Sequence, residues 1–139
     1  MILKTIISLS VLFNWGYMTV NNEVNVPPPK VIKTVYTNIP EDNNWVTIPK
    51  GTKEITISVE AKNTETVLFW LIPTGTETWW ERRLIGYDIN ENKENKFNET
   101  QKFSLTWKID RPFLHDHLIV ELVGMHEVTG GGSINISME

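Results

Sequence analysis

The feature that most constrains this chain is a hydrophobic repeat of two residues that recurs from about Lys30 to the C-terminus. Successive side chains of a β-strand point to opposite faces, so apolar residues alternating with polar ones mark a strand with one face in a core and one in solvent. From Lys53 to Ala61, Ile55, Ile57, Val59 and Ala61 fall on one face and Thr56, Ser58 and Glu60 on the other. Lys102 to Ile109 sets Phe103, Leu105, Trp107 and Ile109 against Ser104, Thr106 and Lys108, and Ile134, Ile136 and Met138 alternate with Ser133, Asn135 and Ser137. Val67 to Ile72 is apolar on both faces and is expected inside a sheet, and Leu118 to Val123 is interrupted only by Glu121. Val31 to Thr37, Trp45 to Ile48 and Thr78 to Tyr87 complete the set, the last with poor alternation that predicts a bend or bulge.

Turn-forming residues separate these runs at Pro40–Asn44, Pro49–Thr52, Lys62–Thr64, Pro73–Thr76, Asp88–Asn98 and Asp110–Pro112, and Gly130–Gly132 reads as a flexible turn. No stretch beyond the N-terminal segment has a helical period. About seven or eight short strands without a helical crossover predict antiparallel pairing in two stacked sheets, the usual way to bury two sets of inward faces. The terminal strand around Ile134 to Met138 is expected at a sheet edge, open to pairing with another chain. With no cysteine in 139 residues, disulfides, thiolate metal sites and cysteine nucleophiles are all excluded. The core must therefore form by apolar burial alone, and the roughly 110 residues beyond the spacer suit one domain.

The first twenty residues read differently. The amino terminus and Lys4 make a short positive region ahead of the apolar run Thr5 to Phe13, the layout of a signal peptide, with an uncleaved anchor as the alternative over residues 1–20. Residues 21–30 end in Pro27, Pro28 and Pro29, which favour extended backbone and read as a stiff spacer before a domain at 31–139. The order of segments implies a secreted or cell-surface, extracellular location, with membrane contact only through the N-terminal segment if it is retained. A net charge of −4 with Lys and Arg interleaved among Asp and Glu gives no basic stripe and argues against nucleic acid as a partner.

The run GTKEITISVEAKNTETVLFWLIPTGTETWWERRLIGYD from Gly51 to Asp88, with FSLTW at Phe103 to Trp107 and HLIVELVG at His117 to Gly124, resembles the bacterial immunoglobulin-like domains of secreted and cell-surface proteins of Gram-positive bacteria. The resemblance covers most of Val31 to Glu139. It implies an immunoglobulin-type sandwich outside the cell, serving as spacer, adhesive unit or partner-binding domain, with no catalytic residues. In antibody-type domains a core Trp packs on a disulfide between two strands. By that resemblance Trp70 takes the Trp place, and Ile57 and Val120 take the cysteine positions in an all-apolar version of the core.

His115 and His117 are two apart and share a strand face, as metal-binding imidazoles often must, but a third ligand is needed, Glu121 lies farther along and His126 would have to return from a loop. The pair is read as two histidines at a strand entrance. His126-Glu127 does not extend to H-E-x-x-H, because Gly130 stands at the second histidine position. The loop from Asp88 to Glu99 carries Asp88, Asn90, Asn92, Glu94 and Glu99 in a calcium-loop register, yet Lys93 replaces the required glycine and strands flank it, so a solvated hairpin loop is expected. There is no G-x-S-x-G turn for a serine nucleophile. No cofactor and no enzymatic activity are expected.

The aromatics are the stronger lead, with six Trp in so short a chain. Trp79 and Trp80 are adjacent, so in a strand they would face opposite ways and at least one would lie outside the core. An indole there, with Trp45, Tyr87 or Arg82 nearby, suits stacking on a sugar ring or anchoring a protein. The structural alternative has both rings closing the open edge of the sandwich under Arg82 and Arg83. The expected function is a non-catalytic interaction or spacer module at the cell surface, with a protein or glycan partner. The alternative is a carbohydrate-binding module using exposed tryptophans.

Overall fold

A computed structural model describes residues 26–75, 79–91 and 98–139. Among these residues eight strands form: β1 (Lys30–Thr37), β2 (Trp45–Thr47), β3 (Glu54–Lys62), β4 (Thr66–Pro73), β5 (Arg83–Ile89), β6 (Gln101–Lys108), β7 (Leu114–Val123) and β8 (Val128–Met138). They make two sheets, one of three strands in the order β1-β3-β6 and one of five in the order β2-β8-β7-β4-β5. The expected all-β two-sheet sandwich is present. Its pairings are antiparallel except for β2, which runs parallel to β8. The parallel pair arises because the chain leaves β1 in one sheet and reaches β2 in the other through Asn43 and Asn44, both at positive φ, a conformation that asparagine tolerates better than most residues.

The period-two reading of β3 holds residue by residue, with Ile55, Ile57, Val59 and Ala61 all buried. They meet Val67, Phe69 and Leu71 of β4, Leu118, Val120 and Leu122 of β7, and Ile134 and Ile136 of β8 in one core cluster. Phe103 and Trp107 of β6 close it from the three-stranded side. Each such apolar side chain contributes about 1.5–3 kcal/mol on burial, which replaces the covalent staple that a cysteine-free domain lacks. β4 lies between β7 and β5, in the sheet interior that its doubly apolar sequence predicts.

Four expectations are corrected. Gly130 to Gly132 belong to β8 and are not a turn. A Cβ on Gly131 would come within 2.8 Å of Val120 Cγ1, and Gly132 sits at φ +100° with its Cβ position 2.9 Å from Thr34 Cβ. Glycine is needed there for close approach and for backbone conformation, not for flexibility. The C-terminal strand is not an edge, because β8 lies between β2 and β7 and its register continues to Met138. The segment expected as one bent strand over Thr78 to Tyr87 is a 3-10 turn at Trp79–Glu81 followed by β5, with a register shift where β5 meets Phe69 and Trp70 of β4. Trp70 is not in the core; Phe69 is, with no exposed surface.

The signal or anchor segment lies outside the described residues. The end of the proline spacer does not: Pro29 is buried, a Cβ on Gly124 would lie 2.5 Å from its Cγ, and Asn63 Nδ2 donates to the Pro28 carbonyl at 3.3 Å. These contacts fasten the entry of β1 to the β3–β4 and β7–β8 connections. At the opposite edge Asp88 of β5 accepts from the Ser104 backbone N–H of β6 at 2.8 Å, so a side chain satisfies one donor on the free edge of the three-stranded sheet.

Candidate functional site

The two outward faces of the sandwich differ in kind. On the three-stranded sheet the outward pairs between β3 and β6 are Glu54–Lys108, Thr56–Thr106, Ser58–Ser104 and Glu60–Lys102. Opposite charges and hydroxyls directly across from each other stabilise a solvated face. Ser58 Oγ and Ser104 Oγ lie 2.9 Å apart, and Tyr36 on β1 donates to Glu60 Oε2 at 3.1 Å with Lys33 over its ring. Desolvation first, and the neighbouring Glu60 carboxylate second, push the Tyr36 phenol above its ordinary range.

The five-stranded sheet turns a contiguous apolar patch outward, concentrated on β5 and β4. Reading register across β5, β4, β7 and β8, one row is Leu84–Trp70–Ile119–Ser133, the next Tyr87–Leu68–Glu121–Gly130, and the third Ile89–Thr66–Val123–Val128. Leu84, Tyr87, Ile89 and Val128 each keep roughly half of their surface in solvent. An ordinary solvated sheet face alternates to polar residues here, as the three-stranded sheet does.

Above this face sits a stack. The Arg82 guanidinium lies over the Trp70 ring at 4.7 Å and over the Trp79 ring at 4.4 Å from the ring centroids. The 3-10 turn Trp79–Glu81 produces this arrangement. Its Arg82 backbone N–H donates to the Trp79 carbonyl at 3.1 Å, and Arg82 Nη1 donates to the same carbonyl at 3.2 Å. The turn thereby folds the indole of Trp79 back over the arginine that follows it. The two cation–π contacts fix the position of the planar guanidinium and remove part of its hydration. Trp79 is 42% exposed and Trp80 is 79% exposed. Both rings lie outside the core, because a turn releases them from the alternation that a strand would have imposed.

Of the three arginines in the chain, Arg83 and Arg111 are paired. Arg83 forks onto Asp110 with Nη1–Oδ2 at 2.9 Å and Nη2–Oδ1 at 3.1 Å, and Arg111 Nη2 reaches the buried Asp116 carboxylate at 3.1 Å. The hydrogen bonds from Arg83 hold the Asp110 carboxyl below the usual carboxylate range, and Asp110 raises Arg83 in return. Arg82 pairs with no carboxylate among the described residues. Arg82 Nε and Trp70 Nε1 have no acceptor there either. The expectation that both arginines cover the indoles therefore splits: Arg82 does, and Arg83 turns to Asp110.

Trp45 and Tyr87 share the outward face but not the stack. Trp45 is on β2 and Tyr87 on β5, at opposite edges of a five-stranded sheet and so roughly 19 Å apart across four strand spacings. Tyr87 is one row from Leu84 and Trp70. Trp45 instead meets His115, ring centroids 5.1 Å apart, next to a row formed by Ile72, His117, Asn135 and Trp45. His115 Nδ1 bonds to Thr74 Oγ1 and His117 Nδ1 to Asn135 Oδ1. Each imidazole thus has a protein partner, and no group of three metal-ligating side chains occurs among the described residues. Of the acidic loop, residues 92–97 lie outside the described residues; Asp88 is on β5 bonding to β6, and Asn90 Nδ2 donates to the Thr64 carbonyl at 3.4 Å.

Trp70 is the site residue that sequence reasoning put in the wrong place. A doubly apolar strand carries no signal to say which parity faces inward, and the resemblance to a Trp-centred core chose the wrong one.

No family model matches the chain. No curated protein matches it either. Among solved structures, it is similar to a chain in the structure reported as the structural basis of T cell specificity and activation by the bacterial superantigen toxic shock syndrome toxin-1. That similarity has a TM-score of 0.49 and 10% sequence identity, and covers 77% of this chain and 99% of that one.

Proposed function

We propose that this chain is a non-catalytic extracellular module of immunoglobulin-like type, of the kind carried by secreted and surface proteins of Gram-positive bacteria, and that it binds a protein partner through the outward face of its five-stranded sheet. The observation that carries the binding role is the contrast between the two outward faces, one laced with hydroxyl and opposite-charge pairs, the other built from Leu84, Trp70, Ile119, Tyr87, Leu68 and Ile89. Contiguous apolar surface that carries Trp and Tyr with an Arg at its margin has the composition of an interface hot spot. Connectivity supports the immunoglobulin-like part: β1-β3-β6 follows the A-B-E order and β8-β7-β4 the G-F-C order of that sandwich. Ile57, Phe69 and Val120, on the strands that would carry the antibody cysteines and Trp, are all fully buried. Export is supported by Lys4 and the apolar run that follows it, and the absence of G-x-S-x-G and H-E-x-x-H patterns supports the lack of an enzymatic role.

The test is adhesion of the fluorescently labelled protein to cell surfaces and immobilised matrix proteins. Tyr87→Ala with Leu84→Ser should lower it at least tenfold with an unchanged melting temperature, while Lys102→Ser on the opposite face should leave it intact. Equal loss from both variants, or none from either, removes the proposed face. A second reading, carbohydrate binding, is favoured by one observation: the two indoles of Trp79 and Trp80 stand outside the core at the corner of the same face. Flat apolar rings with a polar tip suit the C–H faces of sugars.

A further inference from the structure

We propose that the Trp70–Arg82–Trp79 stack is a binding site for a carboxylate-bearing pyranose, a uronic acid residue of an acidic polysaccharide; this rests on the carbohydrate reading. Three observations converge on that chemistry. First, the guanidinium contacts two indoles at 4.4 and 4.7 Å, its Nη1 donates to the Trp79 carbonyl and its Nε is buried, so the group is fixed in place and its terminal Nη1/Nη2 end is what remains to meet the two oxygens of a carboxylate. Second, Arg82 carries its charge with no carboxylate partner among the described residues, whereas Arg83 and Arg111 each have one. A permanently charged group that the fold has fixed and partly dried, with no carboxylate beside it among the described residues, gains most from an incoming anion. Third, a further exposed indole, Trp80, follows Trp79 in the same turn.

A uronic acid residue uses all three features at once. Its ring offers an apolar C–H face to an indole, and its carboxylate, projecting from the same ring, reaches the guanidinium. A neutral hexose uses only the indole. An acidic protein side chain uses only the guanidinium, which is why the combination favours the sugar. Non-specific attraction does not account for such binding, because the chain carries a net charge of −4 and a diffuse polyanion is repelled by it.

The experiment titrates the full-length protein with four polymers: polygalacturonate, its fully methyl-esterified form, neutral dextran and poly-glutamate. The readouts are the tryptophan indole N–H resonances and Trp fluorescence. Polygalacturonate should shift the Trp79 and Trp70 indole signals and bind at least tenfold more tightly than the methyl ester, which keeps the ring and loses the anion. Arg82→Gln should abolish that preference. Arg82→Lys should weaken binding about tenfold, because lysine keeps the charge but not the fork or the stack; melting temperatures of both variants, within a few degrees of the parent, show that they fold. Equal binding of the acid and its ester, or full binding by Arg82→Lys, overturns the carboxylate site and leaves the carbohydrate reading standing. Poly-glutamate binding as tightly as polygalacturonate overturns the sugar as the source of the carboxylate. No binding of any polysaccharide overturns both this site and the carbohydrate reading.

Discussion

Phe69 on β4 and Val120 on β7 are direct cross-strand partners, and neither has any exposed surface. Trp70, the next residue, pairs with Ile119 on the opposite face of the same sheet and lies under Arg82. One peptide unit separates the centre of the core from the floor of the candidate site.

That relationship sets two unequal costs. Phe69→Ala should destabilise the domain by about 3–5 kcal/mol, the lost transfer energy plus the cavity left among close-packed neighbours. Trp70→Ala should cost clearly less, since its ring is half-buried and its loss leaves no internal void, while freeing Arg82. Urea unfolding of both variants measures this, and a larger loss at Trp70 would return it to the core.

Exposure of the turn indoles predicts the optical behaviour of the protein. Iodide should quench a red-shifted part of the tryptophan emission, and Trp80→Phe should remove much of that part with little change in stability. Trp107→Phe should instead remove blue, shielded emission and destabilise, because Trp107 is in the core cluster. Stern–Volmer slopes for the parent and the two variants distinguish these outcomes.

The glycines of β8 are structural. Gly132→Ala places a Cβ at φ +100° and 2.9 Å from Thr34, and Gly131→Ala places one 2.8 Å from Val120; each should cost about 1–3 kcal/mol by strain and overpacking. Gly130→Ala meets nothing within 4 Å and should be nearly neutral. Thermal melts of the three variants order them, and equal tolerance at all three would mean a flexible turn after all.

The Arg83–Asp110 fork contributes a small, pH-dependent stabilisation. Asp110 has its carboxyl held low by Arg83, so the contribution is present above the unfolded carboxyl value near about 3.9 and is lost as pH falls through the lower folded value. With 48% and 51% of the two side chains exposed, screening limits it to a few tenths of a kcal/mol, roughly the range of surface pairs. Asp110→Asn should therefore lower the melting temperature slightly at pH 7 in low salt, and the difference should shrink in acid, as the carboxyl protonates, or in 1 M salt. A difference that persists in acid would place the effect in the turn geometry of Asp110 and not in its charge.

What the sequence by itself determined is the content of the strands. Alternation in β3, β6 and β8 assigns Ile57, Phe103 and Ile136 to the interior, since a one-residue slip would put every apolar side chain of such a strand in water. The lack of cysteine and the spacing of the turns required a single apolar core between two sheets. Where alternation failed, only tertiary structure decided. In β4 both faces are apolar, and the choice of Phe69 over Trp70 for the core was made by the opposing sheet, which supplies the volume that one ring fills. The glycines of β8 have the composition of a turn, but close approach to Val120 and Thr34 holds them in a strand. The pairing of Arg82 with two indoles, one twelve residues before it in sequence and one in its own turn, required the 3-10 turn and the β4–β5 register together. Local pattern reports which face a residue takes; what stands opposite that face is a property of the assembled sheets.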